Sequence, residues 1–105
     1  MANTFEACIK TTLECIQACM ACENCCLDGG MKRGARLCHD CAEVCTLSLS
    51  FMIRSSEFAK KVCRLCEETC RACAEECKKH DDALCRACVK ACSACETECR
   101  KAAAA

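Results

Sequence analysis

The stretch CRLCEETCRACAEEC spans residues 63–77, and the stretch CRACVKACSACETEC spans residues 85–99. Each places five cysteines three or four residues apart, namely Cys63, Cys66, Cys70, Cys73 and Cys77, then Cys85, Cys88, Cys92, Cys95 and Cys99. Residues with this spacing share one face of an α-helix, and a bundle helix normally buries aliphatic side chains there. The two stretches therefore predict helices whose buried faces carry thiols.

The first half of the chain shows the same spacing with interruptions. The stripe of the first predicted helix consists of Cys8, Cys15, Cys19, Cys22 and Cys26, and that of the second of Cys38, Cys41 and Cys45. Thr11 and Thr12 occupy the skipped step after Cys8, and Cys25 lies one residue beside the stripe. Leu49 and Met52 are expected to continue the second stripe without sulfur.

The predicted helices span about residues 4–27, 34–53, 56–79 and 82–101. Asn3 or Thr4, Ser56, and Asp81 or Asp82 are the predicted N-caps, because short polar side chains accept hydrogen bonds from free N–H groups. The sequence Asp28-Gly29-Gly30 predicts a left-handed helix exit, and the alanines of residues 102–105 can fray. Short links favour one all-α domain over residues 1–105, an antiparallel up-down-up-down four-helix bundle with a cysteine-lined core.

Composition excludes several classes of function. The chain of 105 residues has no proline and carries 15 basic and 15 acidic residues, so no net field steers it toward nucleic acid or an anionic membrane. The N-terminal MANTFEACIKTTLECIQ has neither a basic leader nor an unbroken apolar run, and no segment is apolar enough to span a bilayer. We therefore expect a cytosolic protein. Its nineteen cysteines, an odd number, then indicate metal binding more than disulfides.

The number of thiols favours Cu(I) over zinc. A zinc site with four thiolates keeps about two negative charges, so several such sites would charge a narrow core. Cu(I) is soft and monovalent, and one ion per thiolate leaves the core neutral. We predict a lattice of many Cu(I) ions bound by all nineteen cysteines, about one ion per cysteine. No catalytic constellation is evident, so an enzyme is not expected.

Other interpretations of the cysteines stay open. The main alternative is a zinc-buffering or thiol redox protein. An iron–sulfur cluster bound by Cys19, Cys22 and Cys25 is a further alternative. The chain lacks the proline that often follows such motifs, which counts against it. Cysteine can also act as a small buried hydrophobe, and disulfides between helices could form on oxidation.

Antiparallel topology gives the bundle two unlike ends. One end is predicted to be closed by an apolar plug of Phe5, Ile9, Leu13, Leu49, Phe51, Met52, Ile53, Phe58 and Val62. The other gathers cysteines near His39 and His80, which are candidate metal ligands at an entrance. A second apolar stripe on the first two helices, including Phe5, Ile9, Leu13, Ile16, Met20, Leu27, Leu37, Val44, Leu47 and Phe51, predicts a homo-oligomer, either a dimer or a tetramer.

The chain resembles the bacterial copper storage proteins of the cytosolic type. The resemblance covers almost the whole chain and rests on CIQACMACENCC, CHDCAEVC, CRLCEETCRACAEEC, CRACVKACSACETEC and the KKHDD link. It implies a bundle core that binds many Cu(I) ions through cysteine, one apolar end, and a tetramer. A copper chaperone is a further expected partner.

Overall fold

The computed structural model describes residues 3–105, and in this part of the chain it contains four helices and no strand. They are α1 (Glu6–Asp28), α2 (Lys32–Ile53), α3 (Ala59–Cys77) and α4 (Ala83–Ala104). Helix α1 packs on α2 and α4, and α3 packs on the same two helices, so α1 and α3 are diagonal. The particle measures 44 × 18 × 17 Å. The predicted all-α antiparallel bundle is confirmed.

Cysteine fills the interior along most of this length. Eighteen of the nineteen cysteines are buried, and Cys25 is partly exposed. Two hydroxyl side chains, Thr12 and Ser48, are also fully buried and occupy stripe positions on α1 and α2. The prediction that Leu49 continues the stripe of α2 is wrong, because Ser48 faces the core and Leu49 is only partly buried. Met52 does continue the stripe and is fully buried.

The helix starts differ from the predicted ones at three places. Asn3 Oδ1 accepts a hydrogen bond from the Phe5 N–H at 2.8 Å, and α1 begins only at Glu6, so neither Asn3 nor Thr4 is the N-cap. Ser56 Oγ accepts from the Phe58 N–H at 3.1 Å, and α3 begins at Ala59. These polar side chains close a turn that precedes the helix instead of capping its first N–H groups. Helix α2 begins at Lys32, which puts Gly34 inside its first turn.

The remaining boundaries follow the predicted chemistry more closely. Asp82 caps α4, accepting hydrogen bonds from the N–H groups of Leu84 at 2.8 Å and Cys85 at 3.4 Å. Gly30, with φ of 72°, supplies the left-handed residue after α1. Helix α3 ends at Cys77, two residues before the predicted end. Helix α4 continues to Ala104 with Ala102 and Ala103 buried, so the predicted fraying of this tail is wrong at those positions.

Apolar side chains close one end of the bundle, which we call the closed end. Its buried residues are Phe5, Met52, Ala59, Ala102 and Ala103. Asn3 Nδ2 donates a hydrogen bond to the Met52 carbonyl at 3.1 Å, which ties the N-terminal turn to the end of α2.

Three residues assigned to the apolar plug do not belong to it. Leu13, Ile53 and Phe58 are each more than half exposed. Leu13 and Ile53 point outward because α1 and α2 already bury a cysteine stripe on the opposite side, and Phe58 precedes the first residue of α3. Small alanines from α3 and α4 fill the space that the larger side chains were expected to fill.

Candidate metal centre

The buried cysteines form one continuous thiol column, by which we mean the eighteen buried side chains taken together. Across the helix contacts, Sγ–Sγ distances are 3.6 Å for Cys15–Cys92, 3.6 Å for Cys45–Cys66 and 3.7 Å for Cys41–Cys70. A disulfide requires about 2.05 Å, so these thiols are in van der Waals contact and free. Cysteines four apart on one helix are similarly close, as at Cys88–Cys92 with 3.8 Å.

The thiols fall into overlapping groups whose sulfur atoms lie within 4.8 Å of one another. Cys15 belongs to one group with Cys19, Cys41 and Cys92, and to another with Cys45, Cys70 and Cys95. Cys19 and Cys92 form a further group with Cys73 and Cys88. Because neighbouring groups share ligands, they cannot all be filled as separate four-thiolate sites. The arrangement suits a metal that binds few sulfurs and can share them with the next ion.

Contacts also run across the diagonal of the bundle. Cys15 Sγ on α1 lies 3.9 Å from Cys70 Sγ on α3. At this level the thiols of the two diagonal helices are in contact, and no gap separates them. The groups of four thiols draw on three or four helices each, and the group of Cys22, Cys26 and Cys85 draws on α1 and α4.

Proximity and burial control the protonation of these thiols. Loss of hydration raises the pKa of Cys22, because its thiolate would be buried. The neighbouring Cys63 raises the pKa of Cys8 to about 12, whereas the hydrogen bond from Cys8 lowers the pKa of Cys63 to about 3. The pair therefore resists losing both of its thiol protons. A soft cation that replaces such protons removes the cost of burying negative charge.

The end opposite the apolar residues, which we call the open end, terminates in Cys22, Cys26, Cys77 and Cys85. Cys22 Sγ lies 3.6 Å from Cys85 Sγ, 3.7 Å from Cys77 Sγ and 4.0 Å from Cys26 Sγ. Cys25 lies just outside this group, and the carboxylate of Asp82 raises the pKa of its thiol to about 11. The open end therefore offers both buried thiols and one partly exposed thiol.

His80 lies at the open end, as the sequence predicts. Its side chain is 21% exposed, and its Nε2 is a buried atom with no hydrogen-bond partner among residues 3–105. The closest carboxylate oxygen, Glu76 Oε2, is 3.6 Å from Nε2, beyond normal hydrogen-bond length. A surface depression of about 280 Å³ is lined by both His80 and Cys77. This imidazole can therefore reach a metal ion that approaches the column.

His39 lies in a different environment, on the outer surface between α1 and α2. Its side chain is 55% exposed, with Nε2 2.7 Å from Glu43 Oε1 and Nδ1 3.1 Å from Glu23 Oε2. The carboxylates of Glu43 and Glu23 raise the pKa of His39. Both ring nitrogens are thus engaged outside the core, and the structure does not bring His39 together with His80.

Two polar residues of the core, Ser48 and Thr12, could not be assigned from the sequence. Ser48 Oγ lies 3.8 Å from Cys63 Sγ, and Thr12 Oγ1 lies 3.5 Å from Cys95 Sγ. The signal for Ser48 was its position three residues after Cys45, but Leu49, four residues after Cys45, fits the same stripe. Thr11 and Thr12 both have helical spacing from Cys8 and Cys15. The structure buries Thr12 fully, whereas Thr11 is only partly buried and bonds to backbone carbonyls.

A four-helix bundle whose core is an unbroken column of free thiols defines a class of proteins that hold many soft metal ions. The profile of the family described as "Copper storage protein" matches residues 1–104, and the chain belongs to this family. This is a storage family and not an enzyme family. The predicted family is therefore confirmed. None of the helices within residues 3–105 combines the length and hydropathy needed to cross a bilayer.

Individual relatives agree with this assignment. The chain is 41% identical over 85 residues to the uncharacterized cysteine-rich protein YhjQ of Bacillus subtilis, covering 77% of this chain and 79% of that protein. It is similar to the Cu(I)-bound copper storage protein BsCsp3, with a TM-score of 0.90 and 40% identity. The match covers 93% of this chain and 96% of that protein. A cytosolic copper storage protein from Streptomyces lividans, loaded with five coppers, gives a TM-score of 0.90 and 32% identity. The match covers 96% of this chain and 92% of that protein.

Proposed function

We propose that this protein stores Cu(I) along the thiol column, with about one ion per cysteine, in a single four-helix-bundle domain. The observation that carries the proposal is the sharing of thiols between neighbouring groups, as Cys15 is shared by two groups of four. Shared thiolates suit ions of low coordination number that lie close together. Family membership identifies the metal as copper.

Charge gives an independent reason to favour Cu(I) over zinc. Each four-thiolate zinc site would retain about two negative charges, and the thiol column offers no buried cation to balance them. One Cu(I) per thiolate leaves no net charge, so the number of bound ions can rise without increasing the electrostatic cost.

All nineteen cysteines are proposed ligands, including the partly exposed Cys25. His80 is the proposed entrance ligand, because its unpartnered Nε2 lies at the open end beside the last thiols. His39 stays a predicted entrance group. It would first have to leave the carboxylates of Glu23 and Glu43.

Copper is proposed to enter and leave through the open end. The closed end is sealed by Phe5 and Met52 together with three buried alanines, whereas the open end has a depression that reaches Cys77. Replacing Cys77 and Cys85 with serine should therefore slow uptake more than replacing Cys8 and Cys99, which lie near the closed end. Equal rates for the two pairs would contradict this direction of loading.

The alternative functions are zinc buffering and thiol redox chemistry. If the protein stores copper, Cu(I) should displace all bound zinc when the two metals compete, and zinc should displace no bound Cu(I). The experiment is an anaerobic competition of reduced apoprotein with Zn(II) and chelated Cu(I), followed by elemental analysis of the isolated protein. Retention of zinc would favour the buffering alternative. We infer no enzymatic role, because the column holds many equivalent thiols and no distinct nucleophile with its own base.

We propose that the protein works in the cytosol as a homotetramer, with a copper chaperone as a possible donor or acceptor. Support for assembly comes from the outer surface of α1 and α2, where Leu13, Met20, Leu27 and Leu47 are 46–61% exposed. A groove of about 770 Å³ runs along this surface, lined by residues that include Met20, Ala42 and Leu47. Exposed apolar surface of this kind is typical of protein interfaces.

A further inference from the structure

Gly34 is buried inside the first turn of α2, where glycine is a poor helix former. Its backbone does not have the positive φ that would require glycine, because among the glycines only Gly30 has one. The reason for glycine must therefore be space. A Cβ atom at this position would lie 2.9 Å from Cys26 Sγ, a separation that real Cβ contacts do not show.

The same position borders the unpartnered imidazole of His80. A Cβ on residue 34 would lie 3.8 Å from His80 Nε2. The last turn of α1, the first turn of α2 and the segment after α3 thus converge at one point, with the thiol of Cys26 and the nitrogen of His80 on its borders. Only the absence of a side chain at Gly34 keeps this point unfilled.

Cys26 is also connected to the rest of the thiol column. Its Sγ lies 4.0 Å from Cys22 Sγ, which in turn lies 3.6 Å from Cys85 Sγ. These three thiols form one of the groups that could hold a metal ion. An ion that passes from His80 to Cys26 would therefore enter the column there, next to Cys22 and Cys85.

We propose that Gly34 is a positioning residue for copper loading: it keeps the Cys26 thiol close to Cys22 and beside the space that His80 Nε2 borders, so that Cu(I) can pass from His80 to Cys22. The inference rests on the proposed storage function. A methyl group at residue 34 would force Cys26 Sγ to rotate away from its present place, because the approach of 2.9 Å is too short. The thiol would then leave its present position, 4.0 Å from Cys22 Sγ and beside the space that His80 Nε2 borders.

The test compares Gly34→Ala with the matched variant Gly29→Ala, in which a Cβ would meet only the end of the flexible Met31 side chain at 3.3 Å and ordinary contacts. Reduced apoprotein is mixed anaerobically with Cu(I) bound to a chromophoric chelator, and the initial transfer rate is measured by stopped flow. We expect Gly34→Ala to slow transfer about tenfold, which corresponds to about 1.4 kcal/mol in the barrier. Gly29→Ala should match the wild type, and final copper capacity should be retained within one ion in both variants.

A double-mutant comparison separates positioning from general packing. In a Cys26→Ala background the thiol is absent, so Gly34→Ala should cause no further slowing. Histidine labelled with ¹⁵N gives a second readout: the first equivalent of Cu(I) should shift the Nε2 signal of His80 in the wild type but not in Gly34→Ala. Circular dichroism should show the same helix content in both apoproteins.

Several results would overturn the inference. The first is an unchanged transfer rate in Gly34→Ala. The second is that Gly34→Ala slows transfer as much in the Cys26→Ala background as in the wild type. The third is loss of helix in apo Gly34→Ala, which would make Gly34 a packing residue only. If the wild type loads copper, these results leave the storage function intact. A wild type that takes up no Cu(I) would overturn the storage function and this inference together.

Discussion

Thr12 Oγ1 lies 3.5 Å from Cys95 Sγ, at a level of the core where the stripe of α1 carries a hydroxyl in place of a thiol. Thr12 Oγ1 is also 3.9 Å from Cys8 Sγ, four residues earlier. The stripe of α1 is therefore interrupted at Thr12, while the thiol column continues past it through Cys99, which lies 3.5 Å from Cys8 Sγ and 3.8 Å from Cys95 Sγ. Near the closed end, a hydroxyl separates the thiol of Cys8 from that of Cys15 on the same helix.

We expect Thr12→Cys to raise the copper capacity by about one ion, because the new thiol would lie beside Cys8 and Cys95. The matched control is Thr11→Cys, which adds a thiol outside the stripe, where Thr11 Oγ1 bonds to the Cys8 carbonyl at 3.0 Å. Copper per protein after anaerobic loading and gel filtration, measured by elemental analysis, checks the prediction. Equal gains in the two variants, or no gain in Thr12→Cys, would show that position in the column does not decide capacity.

Copper loading should release protons and weaken at low pH. Thiols with raised pKa, such as Cys8 at about 12 and Cys25 at about 11, are protonated near neutral pH. A metal ion must displace these protons, so the apparent affinity for Cu(I) should fall as the pH is lowered. We expect release of at most about one proton per Cu(I), against up to about four per Zn(II) in a four-thiolate site. Weakly buffered titration with a pH indicator measures the ratio. A ratio well above one for Cu(I) would contradict the shared lattice.

The bundle should fold without metal, because apolar packing closes one end and the helices contain many strong helix formers. Met52 is fully buried there, so Met52→Ala should lower the free energy of unfolding of the apoprotein by about 2–5 kcal/mol. Its neighbour Ile53 is 59% exposed, and Ile53→Ala should change stability by less than about 0.5 kcal/mol. Chemical denaturation followed by far-UV circular dichroism gives both values. Similar values for the two variants, or an apoprotein without helix, would disprove this account of the closed end.

The outer surface of α1 and α2 should be the oligomer interface. Met20 is 58% exposed on this surface, so Met20→Glu should shift the protein to a smaller assembly by placing a charge in an apolar contact. Leu84 on α4 is 44% exposed, and Leu84→Glu should leave the mass unchanged. Multi-angle light scattering at micromolar concentration decides. A monomeric wild type, or the same shift in both variants, would place the interface elsewhere or remove it.

Most of the fold could be predicted from the sequence because one periodic feature determines both secondary and tertiary structure. Cysteine at intervals of three and four residues marks a single helix face, as from Cys63 to Cys77, and that face must be buried. Where two neighbouring positions fit the period equally, the sequence does not decide. Ser48 and Leu49 are such a pair, and the narrow core accepts the smaller serine although leucine is more apolar.

The site was less predictable because contacts outside the stripe depend on tertiary packing. His39 follows Cys38 directly and was grouped with His80, but one residue turns a side chain by about 100° on a helix, and His39 therefore faces outward. Its bonds to Glu23 and Glu43 come from two helices, and sequence spacing reveals only the one within α2. The role of Gly34 depends likewise on Cys26 and His80, which lie on two other segments.

The most direct test of the central claim is the amount of Cu(I) that the reduced apoprotein binds. Anaerobic titration with Cu(I) in the presence of a competing chelator, with copper and protein measured by elemental and amino-acid analysis, gives this number. The storage account predicts saturation close to the nineteen cysteines of the chain. Saturation at about four ions would contradict it, because that is the capacity expected for separate four-thiolate sites.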